Sequence, residues 1–331
     1  MDERIGLAHG AGGMAYRELV EELFLPAFRN DMLSPLTDSA VCAGAERIAL
    51  TTDSYVISPL FFPGGDIGRL SVCGTVNDLA VSGAVPKYLT VGMILEAGLE
   101  TAVLARIVNS MAQAASEAGV AIVTGDTKVV ERGCVDSIFI NTAGVGIFSD
   151  DLPPLPQCPL PGDTIILTGC IASHGIAVMC ARHKLVFTPP IQSDVAPLAS
   201  LASCVRAAGS VSAMRDPTRG GVAATLCEWV CDNTDIELYE QSLRMCAGVS
   251  AACELLGLDP LHIANEGVML ISVPSAYANA VLRAVRSHPL GTQAEIIGRV
   301  LPGHGNVYAT TAYGSKRRIF LPRGEILPRI C

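Results

Sequence analysis

The sequence predicts an α/β protein of two domains. Its 331 residues exceed what one domain of about 100 to 200 residues holds. Runs of β-branched residues alternate with stretches whose apolar residues recur every three or four positions, and one proline-rich segment divides the chain into similar halves.

In the first half, residues 47–52 (RIALTT), 88–95 (YLTVGMIL), 120–124 (VAIVT) and 136–148 (DSIFINTAGVGIF) are bounded by Gly, Asp or Glu and read as strands. The apolar period predicts helices over 17–28, 69–81 and 100–118. The segment DDLPPLPQCPLPGD at 150–163 carries five prolines, which forbid helix and remove ladder donors. In the second half, strands are expected at 164–168, 267–273, 294–300, 307–311 and 318–321, and helices at 174–182, 194–208, 220–231 and 275–286. Domains are therefore placed at 1–150 and 151–321. A tail at 322–331 (PRGEILPRIC) holds Pro322, Gly324 and Pro328, which disfavour regular structure. It is expected to be mobile, and from Gly324 to Cys331 it could span roughly 26 to 29 Å when extended.

Composition excludes several classes of function. Half the residues are hydrophobic, 17% are charged and mean hydropathy is +0.42, too apolar for a disordered chain. The longest stretch without Asp, Glu, Lys or Arg is 164–181, but Gly169, Cys170, Ser173, His174 and Gly175 interrupt it, so it reads as strand, loop and helix rather than a membrane span. A net charge of −9 with pI near 5.2 argues against nucleic acid or an anionic membrane as partner. The start MDER lacks the basic and apolar regions of a secretory signal, so a cytoplasmic location is expected.

In a reducing compartment the 12 cysteines are expected to be thiols. No Cys-x-x-Cys occurs, and Cys227 and Cys231 have no nearby His or second Cys pair to complete a metal site. Eleven of the twelve read as small core hydrophobes. Cys331 stands apart as the last residue of the sequence.

Several short motifs suit phosphate chemistry. His9-Gly10-Ala11-Gly12-Gly13-Met14 precedes a helix, where backbone N–H groups can approach phosphate oxygens, although a plain flexible turn explains it equally well. Asp53 in TDS, Asn77-Asp78 in VNDL, Asp126 in TGDTK and Asp216 in DPTRGG place carboxylates among Gly, Ser and Thr at expected element ends. Such hard oxygen donors suit Mg²⁺ shared with a nucleotide, though each Asp could equally be a cap or turn residue. Lys128 could neutralise phosphate charge or hold a thiolate, although an isolated lysine is more often solvated, and Glu266 enters an apolar strand edge where its pKa could rise toward that of a base, a turn carboxylate being the equal alternative. His174 is expected to cap or open its helix.

The order HGAGG, TTDS, PGGDIGRLSVCGTVNDLAVSGAVP, VTGDTKV, the proline-rich junction, GCIASHGIAVM, DPTRGGVA, NEG and PRIC resembles, over essentially the whole chain, the HypE family of hydrogenase maturation factors, the carbamoyl dehydratases. The middle motifs alone are similar to a wider superfamily of ATP-using enzymes, including aminoimidazole ribonucleotide synthetase, selenophosphate synthetase and thiamine-monophosphate kinase. Pro328-Arg329-Ile330-Cys331 narrows the match. Ala172-Ser173 departs from the Gly-Asp that the family pattern places before His174.

The resemblance implies a PurM-like fold: an N-terminal sheet domain that dimerises into a barrel, a C-terminal α/β sandwich and a mobile tail. It implies ATP and Mg²⁺ as cofactors, a homodimer, and as partners the carbamoyltransferase HypF and the HypC and HypD proteins. The implied reaction is ATP-dependent dehydration of a carbamoyl group on Cys331 to a thiocyanate, supplying cyanide ligands for iron. In that scheme Cys331, Lys128, Glu266 and Asp78 carry the chemistry. Asp53, Asp78, Asp126 and Asp216 hold the metal, while Gly12, Gly13, Asn77, Thr218, Arg219 and Gly220 contact the nucleotide. A small-molecule kinase or synthetase of the superfamily, and a non-enzymatic thiol carrier, are the competing readings.

Overall fold

The computed structural model describes residues 3–149, 151, 153–321, 327 and 329–331. The chain builds two sheets with helices packed against them. In the first half the strands are β1 (Ile48–Tyr55), the short β2 (Phe61–Phe62) and β3 (Gly65–Asp66), β4 (Val85–Glu96), β5 (Ala121–Val130) and β6 (Ile138–Ile147). The helices are α1 (Met14–Leu19), α2 (Leu25–Phe28), α3 (Ile67–Val81) and α4 (Thr101–Ala118). The main sheet runs β1-β6-β4-β5, so β1 and β5 are its two edges. Helices α3 and α4 bury one face, with Leu70, Val76, Leu104, Ile107 and Met111 almost wholly excluded from water. Among the described residues no helix covers the other face, and Ile48, Leu50 and Ile94 are 49%, 70% and 41% exposed there.

The second half adds β7 (Asp163–Leu167), β8 (Ala213–Arg215), β9 (Thr234–Tyr239), β10 (Leu270–Pro274), β11 (Glu295–Pro302), β12 (Val307–Thr310) and β13 (Lys316–Ile319). They form one seven-stranded sheet, order β13-β12-β9-β11-β7-β10-β8. Helices α5 (Ser173–His183), α7 (Gly221–Trp229) and α8 (Val249–Leu256) share a core with one face, and α6 (Ala199–Ala208) and α9 (Ser275–Ser287) with the other. The fold is therefore two-domain and mixed α/β, as expected.

Departures from the sequence-based elements have local causes. The helix expected at 17–28 contains a π-helical turn at Val20–Phe24 just before Pro26, whose missing N–H breaks the regular ladder. The helix expected from 194 starts only at Ala199, because Pro197 disfavours helical geometry in the residue before it. Strand β5 continues to Val130, so TGDTK lies inside a strand rather than at its end. Strands β8 and β9 and helix α8 were not expected. In β9 the charges at 235 and 237 disguise a strand, and Glu237 is paired with Arg299 and Lys316 at 2.7 Å each.

Candidate active site

Alternation along β1 turns Thr51, Asp53 and Tyr55 toward α3, where Thr51 Oγ1 donates to Asp78 Oδ2 at 2.8 Å. The Asp53 and Asp78 carboxyls share a hydrogen bond, and burial followed by repulsion from Asp53 pushes the Asp78 carboxyl up to about 6. Asp216 comes from the loop before α7. Burial, then the charge of Asp78, raises it to about 7, and Arg215 opposes the shift. The loop is pinned from the second domain: Asn265 Nδ2 donates to Pro217 O at 2.9 Å, and a Cβ on Gly221 (φ 62°) would lie 2.5 Å from Leu261 O.

Glu266 follows Asn265 and is 2% exposed. Burial holds its carboxyl well above the usual range, followed by the charges of Asp216, Asp194, Asp53 and Asp78. Carboxylates from both halves thus converge on one region. Asn77 fastens the two halves beneath them. Its Oδ1 accepts from Leu198 N at 2.7 Å, and its Nδ2 donates to Ala196 O at 3.1 Å and Glu266 O at 3.3 Å. Being fully buried, Asn77 is a clamp here rather than a nucleotide contact.

The end of the tail is seated in the same place, not extended into solvent. Val56 N donates to Cys331 O at 3.2 Å, and His174 Nε2 donates to Ile330 O at 2.9 Å. Arg182 donates to Arg329 O at 2.8 Å, while Arg329 pairs with Asp136 at 2.8 Å. Ile330 is buried and Cys331 half-buried. Burial, then the charge of Glu266, pushes the Cys331 thiol up to about 12, against the opposing guanidinium of Arg219. Pro328 of the PRIC motif lies outside the described residues, as do 322–326.

His174 receives Ser193 Oγ–H at Nδ1, 2.9 Å away, and stacks edge-on against Phe62 at 5.4 Å. Its partners require the neutral ring protonated on Nε2, and burial lowers its pKa to about 4. The ring therefore holds the tail and does not merely open α5. The local departure from the family pattern has a visible consequence: Ala172 takes φ 68°, a left-handed conformation that favours glycine, and Ser173 Oγ is buried with no partner among the described residues.

Two expected residues lie elsewhere. Asp126 and Lys128 pair with each other at 2.8 Å, each 62% exposed, on the face of the sheet away from α3. Across the sheet β1 and β5 are three strand spacings apart, about 14 Å, so within one chain Lys128 does not meet Cys331. Thr218 and Gly220 (φ 77°) shape the turn into α7. Gly12 and Gly13 are exposed, with nothing within 4 Å of where a side chain would begin. Just beyond them a cleft of about 550 Å³ opens between Tyr16, Phe24, Phe28 and the Thr124–Thr127 edge of β5. Sequence reasoning missed the tail seat of Arg182, Asp136 and His174, and it missed Asp194. Arg182, Asp136 and Asp194 belong to no quoted motif, and His174, which stands in GCIASHGIAVM, was expected only to cap or open its helix.

The chain matches the family models described as AIR synthase related protein, N-terminal domain, over residues 36–148, and C-terminal domain, over residues 161–309. It is 48% identical to a carbamoyl dehydratase HypE of Rhizobium leguminosarum bv. viciae, covering 99% of this chain and 95% of the relative. It is 47% identical to that of Escherichia coli K12, covering 99% of both. A crystal structure of hydrogenase maturation protein HypE in complex with ATP superposes with a TM-score of 0.94 at 42% identity, covering 98% of this chain and 99% of the other. One of a HypE–HypF complex matches with a TM-score of 0.80 at 46% identity, covering 92% and 99%.

Proposed function

Because the chain belongs to the HypE family of carbamoyl dehydratases, within the AIR synthase related proteins, we propose that it converts an S-carboxamide on Cys331 into a thiocyanate at the expense of ATP. The observation that carries this reading is the seating of residues 329–331 on Val56, His174 and Arg182, with Cys331 within electrostatic reach of Glu266, Arg219 and Asp53. An unloaded thiol pushed up to about 12 is a poor nucleophile, so the seat suits cargo already bonded to sulfur.

Amide oxygen is a poor leaving group. Transfer of the ATP γ-phosphoryl to it gives an S-linked O-phosphoryl imidate and ADP, with one nitrogen proton leaving. Loss of the second proton then forms the C≡N bond as the C–O bond breaks and inorganic phosphate departs. Glu266, buried and raised in pKa, is the proton acceptor for the carboxamide nitrogen. Arg219 balances negative charge near the sulfur.

Asp53, Asp78 and Asp216 are hard donors whose mutual repulsion calls for a cation. Such donors would suit Mg²⁺, which keeps several waters and shares the phosphate oxygens of a nucleotide. A cation held there would neutralise phosphate charge during transfer. The apolar, aromatic cleft behind Gly12 and Gly13 is of a size to take the base.

Lys128 and Asp126 belong to this site only across a dimer. The apolar face bearing Ile48, Leu50 and Ile94, together with two sheet edges that pair with no further strand among the described residues, supports closure against a second copy. Ser54 and Asp126 lie in one cross-strand row through Asn141 and Gly92, so β5 of one copy would deliver Asp126 and Lys128 beside Asp53 of the other. HypF, which stands with a HypE in one matched structure, is the proposed carbamoyl donor, and HypC and HypD the proposed cyanide acceptors. Among the described residues no helix is long and apolar enough to cross a membrane.

The test is the intact mass of the peptide bearing Cys331 after incubation with HypF, carbamoyl phosphate and ATP. A carbamoyl adduct that loses one water only with ATP is expected. An adduct that persists through ATP hydrolysis would favour the small-molecule kinase reading instead.

A further inference from the structure

The short run from Ser193 to Leu198, without regular structure, lies as a strap against the first half at both of its ends. Ser193 N donates to Pro63 O at 2.8 Å on the first-domain side. At the other end Asn77 receives Leu198 N. Two neighbouring side chains of the strap reach the two ends of the proposed reaction.

Asp194 Oδ2 accepts from Glu266 N at 3.1 Å and from Gly267 N at 2.8 Å. Glu266 O in turn accepts from Ala196 N at 3.3 Å, so both faces of the Glu266 peptide are held by the strap. The backbones touch so closely that a Cβ on Gly267 would sit 1.7 Å from Asp194 O. The second carboxylate oxygen, Oδ1, is buried with no hydrogen-bond partner of good geometry among the described residues, while the backbone N–H groups of His174 and of Asp194 itself help those of Glu266 and Gly267 to offset the burial of the acid. Beside it, Ser193 Oγ accepts from Val195 N at 3.1 Å and donates to His174 Nδ1. That bond fixes the tautomer that presents Nε2–H to Ile330 O.

We propose that the Ser193–Asp194 dipeptide registers the seated tail against Glu266, with Asp194 a positioning residue for the proton acceptor and Ser193 a positioning residue for the tail through His174. This rests on the reading of Glu266 and Cys331 given above. One rigid segment sets the distance between cargo and base, because its consecutive residues hold both. A misplacement of about 1 Å at such a site can cost about a hundredfold in rate.

The experiment uses full-length variants loaded by HypF, with single-turnover loss of water from the Cys331 adduct followed by mass, and with iodoacetamide alkylation of unloaded Cys331 as a separate readout. Asp194→Ala is expected to slow water loss by about ten- to a hundredfold at saturating ATP, with KM for ATP and the alkylation rate both near wild type. Asp194→Asn, which keeps an acceptor for both N–H groups, is expected to stay within about threefold. Should the alanine variant not fold, Asp194→Ser takes its place. Ser193→Ala is expected to raise Cys331 alkylation about tenfold, since the ring loses its fixed tautomer.

A folded Asp194→Ala or Asp194→Ser enzyme at the wild-type rate, or Asp194→Asn falling as far as alanine, would overturn the Asp194 assignment. Unchanged Cys331 alkylation in Ser193→Ala would overturn the Ser193 assignment, and that readout needs no turnover. Failure of the wild type itself to lose water would count against the proposed function, which separates the two ideas.

Discussion

His174 donates from Nε2 to the carbonyl oxygen of Ile330 at 2.9 Å, across 156 positions of sequence, and so ties the last turn of chain to the start of α5. The other ring nitrogen is occupied by Ser193 as donor. A second proton on the ring would oppose that donor within a wholly buried site.

This gives a pH dependence with a definite sign. The folded-state pKa is lowered from 6.5 to about 4, so the native state binds fewer protons than the unfolded chain between those values. The stabilisation is complete above pH 6.5 and is lost as pH falls toward 4. Urea melts should show about 2 kcal/mol less stability at pH 5 than at pH 7 from this residue, and His174→Gln should flatten that part of the curve. An unchanged slope in the variant would assign the acid sensitivity elsewhere.

Thiol labelling should report the seat of the tail. A rise in the Cys331 pKa from 9.0 to about 12 lowers the thiolate fraction at pH 8 about a thousandfold. Labelling should therefore be far slower than in a free peptide of the same sequence. Arg329→Ala, which removes the contacts to Asp136 and Val56 O, should speed it several-fold. Equal rates in protein and peptide would place the cysteine outside its seat in solution.

Asn77→Ala should cost about 2 to 4 kcal/mol in urea unfolding. It removes the acceptor for Leu198 N and the donor for two carbonyls, all buried. A loss within about 0.5 kcal/mol in the same melts, that of an ordinary surface substitution, would mean that water replaces the amide.

Asp216→Asn should do the opposite in the absence of divalent cation. It removes one of several crowded carboxylates, and the metal-free midpoint should rise by an amount worth about 1 to 2 kcal/mol while ATP-dependent water loss falls to background. A lower midpoint in EDTA would indicate that the carboxylate is structural.

Mixed dimers test the placement of Lys128. Lys128→Ala and Cys331→Ser are each expected to be inactive alone. Co-refolded together they should regain up to about a quarter of wild-type turnover, because half of the dimers are mixed and each has one site with both residues. No recovery in verified heterodimers would require Lys128 to act within its own chain.

Much of the fold was legible in the sequence because it rests on local pattern. Strand β4 and helices α3, α4 and α9 follow directly from β-branched runs and the helical period. Strand β9 was hidden by Asp235 and Glu237; Glu237 is paired with Arg299 and Lys316, and Asp235 Oδ1 accepts from His304 N and Asn306 N. For the site, Asp53, Asp78, Asp216 and Glu266 announced themselves by standing in Gly- and Thr-rich motifs, yet Asn77 in the same motif turned inward as a clamp.

The sequence by itself determined the two-domain α/β class, the acidic motifs and the distinctive cysteine at position 331, since composition, period and motif order are properties of neighbours along the chain. Only the tertiary structure decided that the tail is seated, that His174 and the 193–198 strap hold it against Glu266, and that Lys128 points away from Cys331. The first two of those facts depend on which buried donors meet which acceptors far apart in sequence, 156 positions for His174 and Ile330 and 72 for Asp194 and Glu266. Local pattern carries no record of that pairing, because burial and hydrogen-bond satisfaction are settled only when the whole core closes.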